Sequence, residues 1–123
     1  MLDFFKESDA QNVFLKLASL EDLAGMPVLE KLPANDTDAA SEKHVPAVTA
    51  DKKQVTVKIG EIAHPMLDEH FITMICIETK KGGQFQILSP GDAPEAVFML
   101  AEGDEFIAAY EYCNLHGLWT GRD

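Results

Sequence analysis

Cysteine, histidine and basic side chains are all scarce in this chain of 123 residues. It has two cysteines, four histidines and ten lysines plus arginines, set against 21 acidic residues, for a formal charge of −11. Two cysteines cannot make a disulfide framework. So few basic residues leave no face able to track phosphates, which argues against a nucleic-acid binder and against adsorption to an anionic membrane. No apolar run approaches the ~18 residues of a membrane span. The opening Met1-Leu2-Asp3-Phe4-Phe5-Lys6-Glu7 lacks the basic flank and apolar stretch of a secretory signal. The expected compartment is therefore the reducing cytoplasm. Internal repeats, low-complexity tracts and a Gly-rich phosphate loop are also absent.

The rest is ordinary globular material. Apolar residues make up 46% of the chain and charged residues 25%, and a chain of this length buries roughly two-thirds of its unfolded surface. Residues 1–40 form a distinct stretch: Phe4-Phe5, Val13 to Leu17 and Pro27 to Leu32 are short apolar runs that read as two or three strands of a small lobe. Phe14, Leu17, Leu20 and Leu23 also fit a helical spacing, and strands are the preferred reading. Pro33 to Asp38 reads as a turn-rich connector, with a helical turn over Asp38–Glu42.

Strand signals sharpen after residue 45. Val55, Val57 and Ile59 alternate with polar residues, and Phe71 to Ile77 is apolar on both faces, as a central strand requires. Lys80-Lys81-Gly82-Gly83 is a hairpin turn leading into Gln84–Leu88. Ala96–Leu100 and Glu105–Cys113 follow, joined by Glu102-Gly103-Asp104. Short strands at this spacing predict an all-β, antiparallel sandwich or barrel.

All four histidines come late and in turn-like positions. His44 lies in Glu42-Lys43-His44-Val45-Pro46, His64 and His70 bound His64-Pro65-Met66-Leu67-Asp68-Glu69-His70, and His116 lies in Cys113-Asn114-Leu115-His116-Gly117-Leu118-Trp119. Each segment is a weak signal alone, and an isolated histidine is more often a hydrogen-bonded structural residue than a ligand. Jointly they offer four imidazoles and one thiolate near strand ends. That exceeds the four ligands of a structural zinc site and suits an iron centre with one open position. A thiolate there would push electron density toward a bound small molecule, which favours redox chemistry over hydrolysis. Ligand preference leaves copper and zinc open as alternatives.

These three ordered segments resemble the superoxide reductase family, which includes neelaredoxin and desulfoferrodoxin, over residues 37–121. The resemblance implies an immunoglobulin-like β-sandwich over residues 41–123, with His44, His64, His70 and His116 as equatorial ligands of one iron per chain and Cys113 as axial ligand. It also implies Glu42 as the ligand of the oxidised state and Lys43 as the cation beside the open position. The implied reaction is one-electron reduction of superoxide to hydrogen peroxide. The implied partners are superoxide, a small external donor such as rubredoxin, and a second copy in a homodimer. Desulfoferrodoxins carry four cysteines around a second iron in an N-terminal lobe. Residues 1–40 have none, although Gly25 to Ala40 still resembles the tail of that lobe. The expectation is a vestigial lobe without metal.

Other functions for the same residues are an iron electron carrier that never meets superoxide, and a binding module with structural zinc. Trp119 reads first as a core residue, Cys76 as a buried small hydrophobe and Lys80-Lys81 as a solvated turn. Asp68 and Glu69 read equally as orienting partners of an imidazole or as a solvated loop.

Overall fold

A computed structural model of the chain describes residues 1–7, 12–17 and 29–122. It divides into two compact units, Met1–Pro33 and Ala34–Asp123. The first is a three-stranded antiparallel sheet of β1 (Phe4–Glu7), β2 (Val13–Leu15) and β3 (Leu29–Lys31), in the order β2-β1-β3. Phe14 stands in strand register opposite Phe5, so the strand reading holds there. Leu20, Leu23 and residues 25–28 lie outside the described residues.

The second unit is a sandwich. One sheet holds β10 (Gly117–Gly121), β9 (Phe106–Cys113), β6 (Ile72–Thr79) and β7 (Gly82–Ile87), in that order. The other holds β4 (Pro46–Ala50), β5 (Gln54–Ile59) and β8 (Glu95–Met99). Every pairing is antiparallel. The alternation read for β5 appears as buried Val55, Val57 and Ile59. These pack with Ala96 and Phe98 of β8 against Ile72, Ile75, Ile77, Ala109 and Cys113 of the other sheet. At roughly 25 cal/mol per Å² of apolar surface buried, this shared interior is the main source of rigidity for the loops at its ends. β6 is the internal strand expected of a run apolar on both faces.

Two strands and one helix differ from the sequence reading. β4 opens on a proline, tolerated at the first residue of a strand, and its Pro-Ala-Val-Thr-Ala run is too short and small to announce itself. β10 is bounded by glycines that read as turns. The helical turn, α1, spans Ser41–His44 and not 38–42, because Ala39 N–H bonds to Thr37 O in a preceding bend.

Glu111 is the exception to the apolar interior. It is fully buried on the face of β9 that carries Ala109 and Cys113, opposite Ile75 and Trp119. Neither carboxylate oxygen has a hydrogen-bond partner among the described residues. Burial alone pushes its pKa well above the ordinary carboxylate value. A folded-state pKa raised above the unfolded one contributes stability that is complete below about pH 4.5 and is lost as pH rises toward the folded value. Urea unfolding of wild type from pH 5 to 8 should thus show a falling component of up to about 1.4 kcal/mol per pH unit. Glu111→Gln should lose that component; equal slopes in the two proteins would refute a buried neutral acid.

Candidate metal centre

Three segments separated in sequence meet at one end of the sandwich. α1 delivers His44, the loop after β5 delivers His64 and His70, and the hairpin between β9 and β10 delivers Cys113 and His116. One donor atom each from His44, His64, His70 and Cys113 lies within 4.8 Å of all the others. His116 joins them: its Nδ1 is 3.1 Å from His44 Nε2 and 3.9 Å from Cys113 Sγ.

The rings form a square. Neighbouring centroids are 4.7 Å apart for His44–His64, 4.6 Å for His64–His70, 5.1 Å for His70–His116 and 4.9 Å for His116–His44, with interplanar angles of 76–88°. His44 and His70, on a diagonal, are 6.4 Å apart and only 29° from parallel. Four imidazoles in a square with a thiol beside them differ from the closed tetrahedron of a structural zinc site.

Tautomers show what the square is suited to hold. Carbonyl oxygens only accept, so His44 Nδ1 donates to Ala40 O at 2.8 Å and His64 Nδ1 donates to Pro65 O at 2.6 Å. In the neutral ring, each Nε2 then carries a lone pair, and these two atoms face each other at 3.2 Å. Protonation is disfavoured there. Burial lowers the pKa of His64 to about 4, and burial also lowers that of His44 and of His70. His70 Nε2 is buried without a hydrogen-bond partner. Two facing lone pairs and a nitrogen without a partner among the described residues form an arrangement that one cation between them would satisfy. The Cys113 thiol is pushed up by burial, against an opposing pull from the backbone N–H groups of His116 and Leu115. Coordination reverses that penalty, because a metal deprotonates its thiol ligand. The residues therefore fit a single metal ion.

Trp119 explains part of the alignment. Its ring stacks on His44 at 4.9 Å and 28°, and its Nε1–H donates to His116 O at 3.1 Å. The tryptophan is a core residue, 2% exposed, that also braces two of the four histidines. Sequence reasoning gave it only the first role, since nothing in a linear pattern announces a ring stack to residue 44. Glu42 and Lys43 are exposed on α1. The Lys43 charge disfavours protonation of both His44 and His70. Asp68 and Glu69 are exposed, which matches the solvated-loop reading. Cys76 is buried in β6 away from the square, its thiol pushed up to about 11 by burial. Lys80 pairs with Glu105 at the exposed hairpin.

A family model described as desulfoferrodoxin matches residues 36–122. The chain belongs to the desulfoferrodoxin family. A desulfoferrodoxin of Syntrophotalea carbinolica is 47% identical over 89 residues, covering 72% of this chain and 69% of that one. A superoxide reductase of Pyrococcus horikoshii is 36% identical over 99 residues, covering 67% and 86%. The crystal structure of the superoxide reductase from Treponema pallidum superposes with a TM-score of 0.80 at 40% identity, covering 99% of both chains. The structural match agrees with the all-β fold. No helix among the described residues is long and apolar enough to cross a membrane.

Gly60 governs how this family member seats α1. It follows β5 at φ +80° and is buried. A Cβ there would meet Ile62 O, Glu42 O at 2.7 Å and Lys43 Cα at 2.7 Å. Gly60→Ala combines left-handed strain with overpacking, together about 2–4 kcal/mol. It should shift residues 42–44 outward. Thermal unfolding should show the loss of stability, and Co²⁺ titration a weaker site. Wild-type values in both would show that α1 does not depend on this contact.

Proposed function

We propose that this protein is a superoxide reductase, with His44, His64, His70, His116 and Cys113 as the ligands of one iron. The observation that carries the proposal is the square of imidazoles with a thiol beside it. When bound, iron would supply one electron to superoxide, which with two protons leaves as hydrogen peroxide, and an external donor would return the electron.

The chain's own residues do the rest. Ala40 O and Pro65 O fix the tautomers of His44 and His64, so their Nε2 atoms stay available. Cys113 contributes a soft, electron-rich donor from the buried side. Lys43 offers an ammonium to an incoming anion, and Glu42 beside it is the carboxylate that would close the site in the oxidised state. A rubredoxin-like carrier is the donor class we propose, with a homodimer in the cytoplasm as the working unit. In this reading residues 1–40 are a vestigial lobe, since without cysteine or histidine they offer no ligands for a second iron of the tetrathiolate kind.

Two measurements test the proposal. Cys113→Ser replaces the soft donor with a hard, weaker one, so the visible thiolate-to-iron(III) band should vanish while circular dichroism keeps its β signature. Cys76→Ser should keep its colour. A coloured, active Cys113→Ser variant would remove the thiolate from the ligand set.

The second is stopped-flow mixing of the reduced, iron-loaded protein with superoxide. Distant carboxylates are screened over about 8 Å at ~0.15 M salt, whereas Lys43 acts at close range. The encounter should be fast and should slow as salt is added. Lys43→Ala should lower the second-order rate constant by about tenfold, equivalent to about 1.4 kcal/mol, and flatten the salt dependence. Glu42→Ala should leave the encounter nearly unchanged. If the reduced wild type is not oxidised by superoxide, the centre is an electron carrier instead.

A further inference from the structure

His70 is held differently from its neighbours. His44 and His64 each have a ring nitrogen anchored to a backbone carbonyl, which is the usual way a ligating imidazole is oriented. The His70 ring has no hydrogen bond among the described residues, and its Nε2 is buried without a partner. Apart from edge contacts with the His64 and His116 rings, what aims it is its backbone.

That backbone is clamped on both sides. Leu67 and His70 exchange two main-chain hydrogen bonds, at 2.9 Å and 3.1 Å, which close a tight turn. Across from it stands Asn114, in the hairpin loop that carries Cys113 and His116. Asn114 Nδ2 donates to Glu69 O at 3.0 Å, and Asn114 Oδ1 accepts from Phe71 N–H at 3.0 Å. Asn114 N–H donates to Phe71 O at 3.2 Å. One side chain thus grips the peptides immediately before and after His70, 43 to 45 residues away in sequence. An amide is suited to this task, because it alone among side chains of this length offers a donor and an acceptor together without charge.

We propose that Asn114 is a positioning residue for His70: by gripping Glu69 O and Phe71 N–H from the cysteine loop, it sets where the His70 imidazole stands relative to Cys113. This rests on the metal-centre proposal above. Asn114 touches no metal and no substrate; it acts through His70.

A double-mutant cycle read by Co²⁺ binding tests it. Metal-free wild type, Asn114→Ala, His70→Ala and the double variant are titrated with Co²⁺, with thermal unfolding as the check on folding. Asn114→Ala should weaken Co²⁺ binding about 10–100-fold, the usual effect of removing a residue that orients a ligand. In the His70→Ala background the same substitution should add little, because the group it positions is gone. The ligand-field bands of Asn114→Ala should move toward those of His70→Ala, while the thiolate-to-cobalt band persists.

An equal loss in both backgrounds, or none in either, would overturn the proposal. Asn114→Asp keeps the oxygen that accepts from Phe71 and loses the donor to Glu69. Its added charge acts in both backgrounds and cancels in the cycle, so it serves if the alanine variant does not fold, and a partial coupling to His70 is expected. Zero coupling for Asn114→Asp in that case would overturn the proposal. Failure of wild type itself to bind Co²⁺ would overturn the metal centre, whereas tight wild-type binding without coupling would overturn only the role of Asn114.

Discussion

Lone pairs that face one another are the constraint on which this protein is organised. Once Ala40 O and Pro65 O have taken the Nδ1 protons of His44 and His64, two Nε2 lone pairs confront each other at 3.2 Å. What holds them in place is the frame of the sandwich interior, where β5 and β8 close over β6 and β9. Each segment that carries a histidine is tied to that frame within a few residues. α1 lies over Gly60 at the end of β5, the His64–His70 loop runs directly into β6, and Cys113 is the last residue of β9. Preorganisation of this kind places the strain on the fold and leaves the donors ready for a cation.

The electrostatics of the site run against those of the chain. A charge of −11 keeps the surface negative at long range, yet Lys43 stands beside His44 on the short helix that delivers it. With screening over about 8 Å, the two charges act on different scales: the first governs solubility and contact with large partners, the second only what lies close to α1.

Much of this was legible in the residues alone. Histidines beside proline and glycine, in three segments at strand ends, located the site because turn chemistry is a local property. Strands β5, β6 and β9 were legible because burial on one or both faces leaves a period in the side chains. β4 and β10 were not, since a strand that starts on proline or is bounded by glycine has the composition of a turn. Two supports stayed hidden for a different reason. Trp119 acts on His44 by stacking, and Asn114 acts on Glu69 and Phe71 through main-chain atoms. Main-chain partners leave no mark on the residue type of the partner, so no pairing rule applied to a sequence could find them.

Glu111 and Cys113 complete the charge arrangement from the buried side. They stand two residues apart on one face of β9, and both are driven toward their neutral forms by burial. A cation in the square would act on them unequally. The sulfur is a donor aimed at the square and would lose its proton to coordination. The carboxyl, between Ile75 and Trp119 without a hydrogen-bond partner among the described residues, has no such donor role, and burial raises its pKa. With the carboxyl neutral, this interior face would hold one anion and not two. An ionised Glu111 would place a second negative charge beside the thiolate with nothing to balance it. A neutral Glu111 would leave a metal-bound Cys113 thiolate as the one anion of the pair.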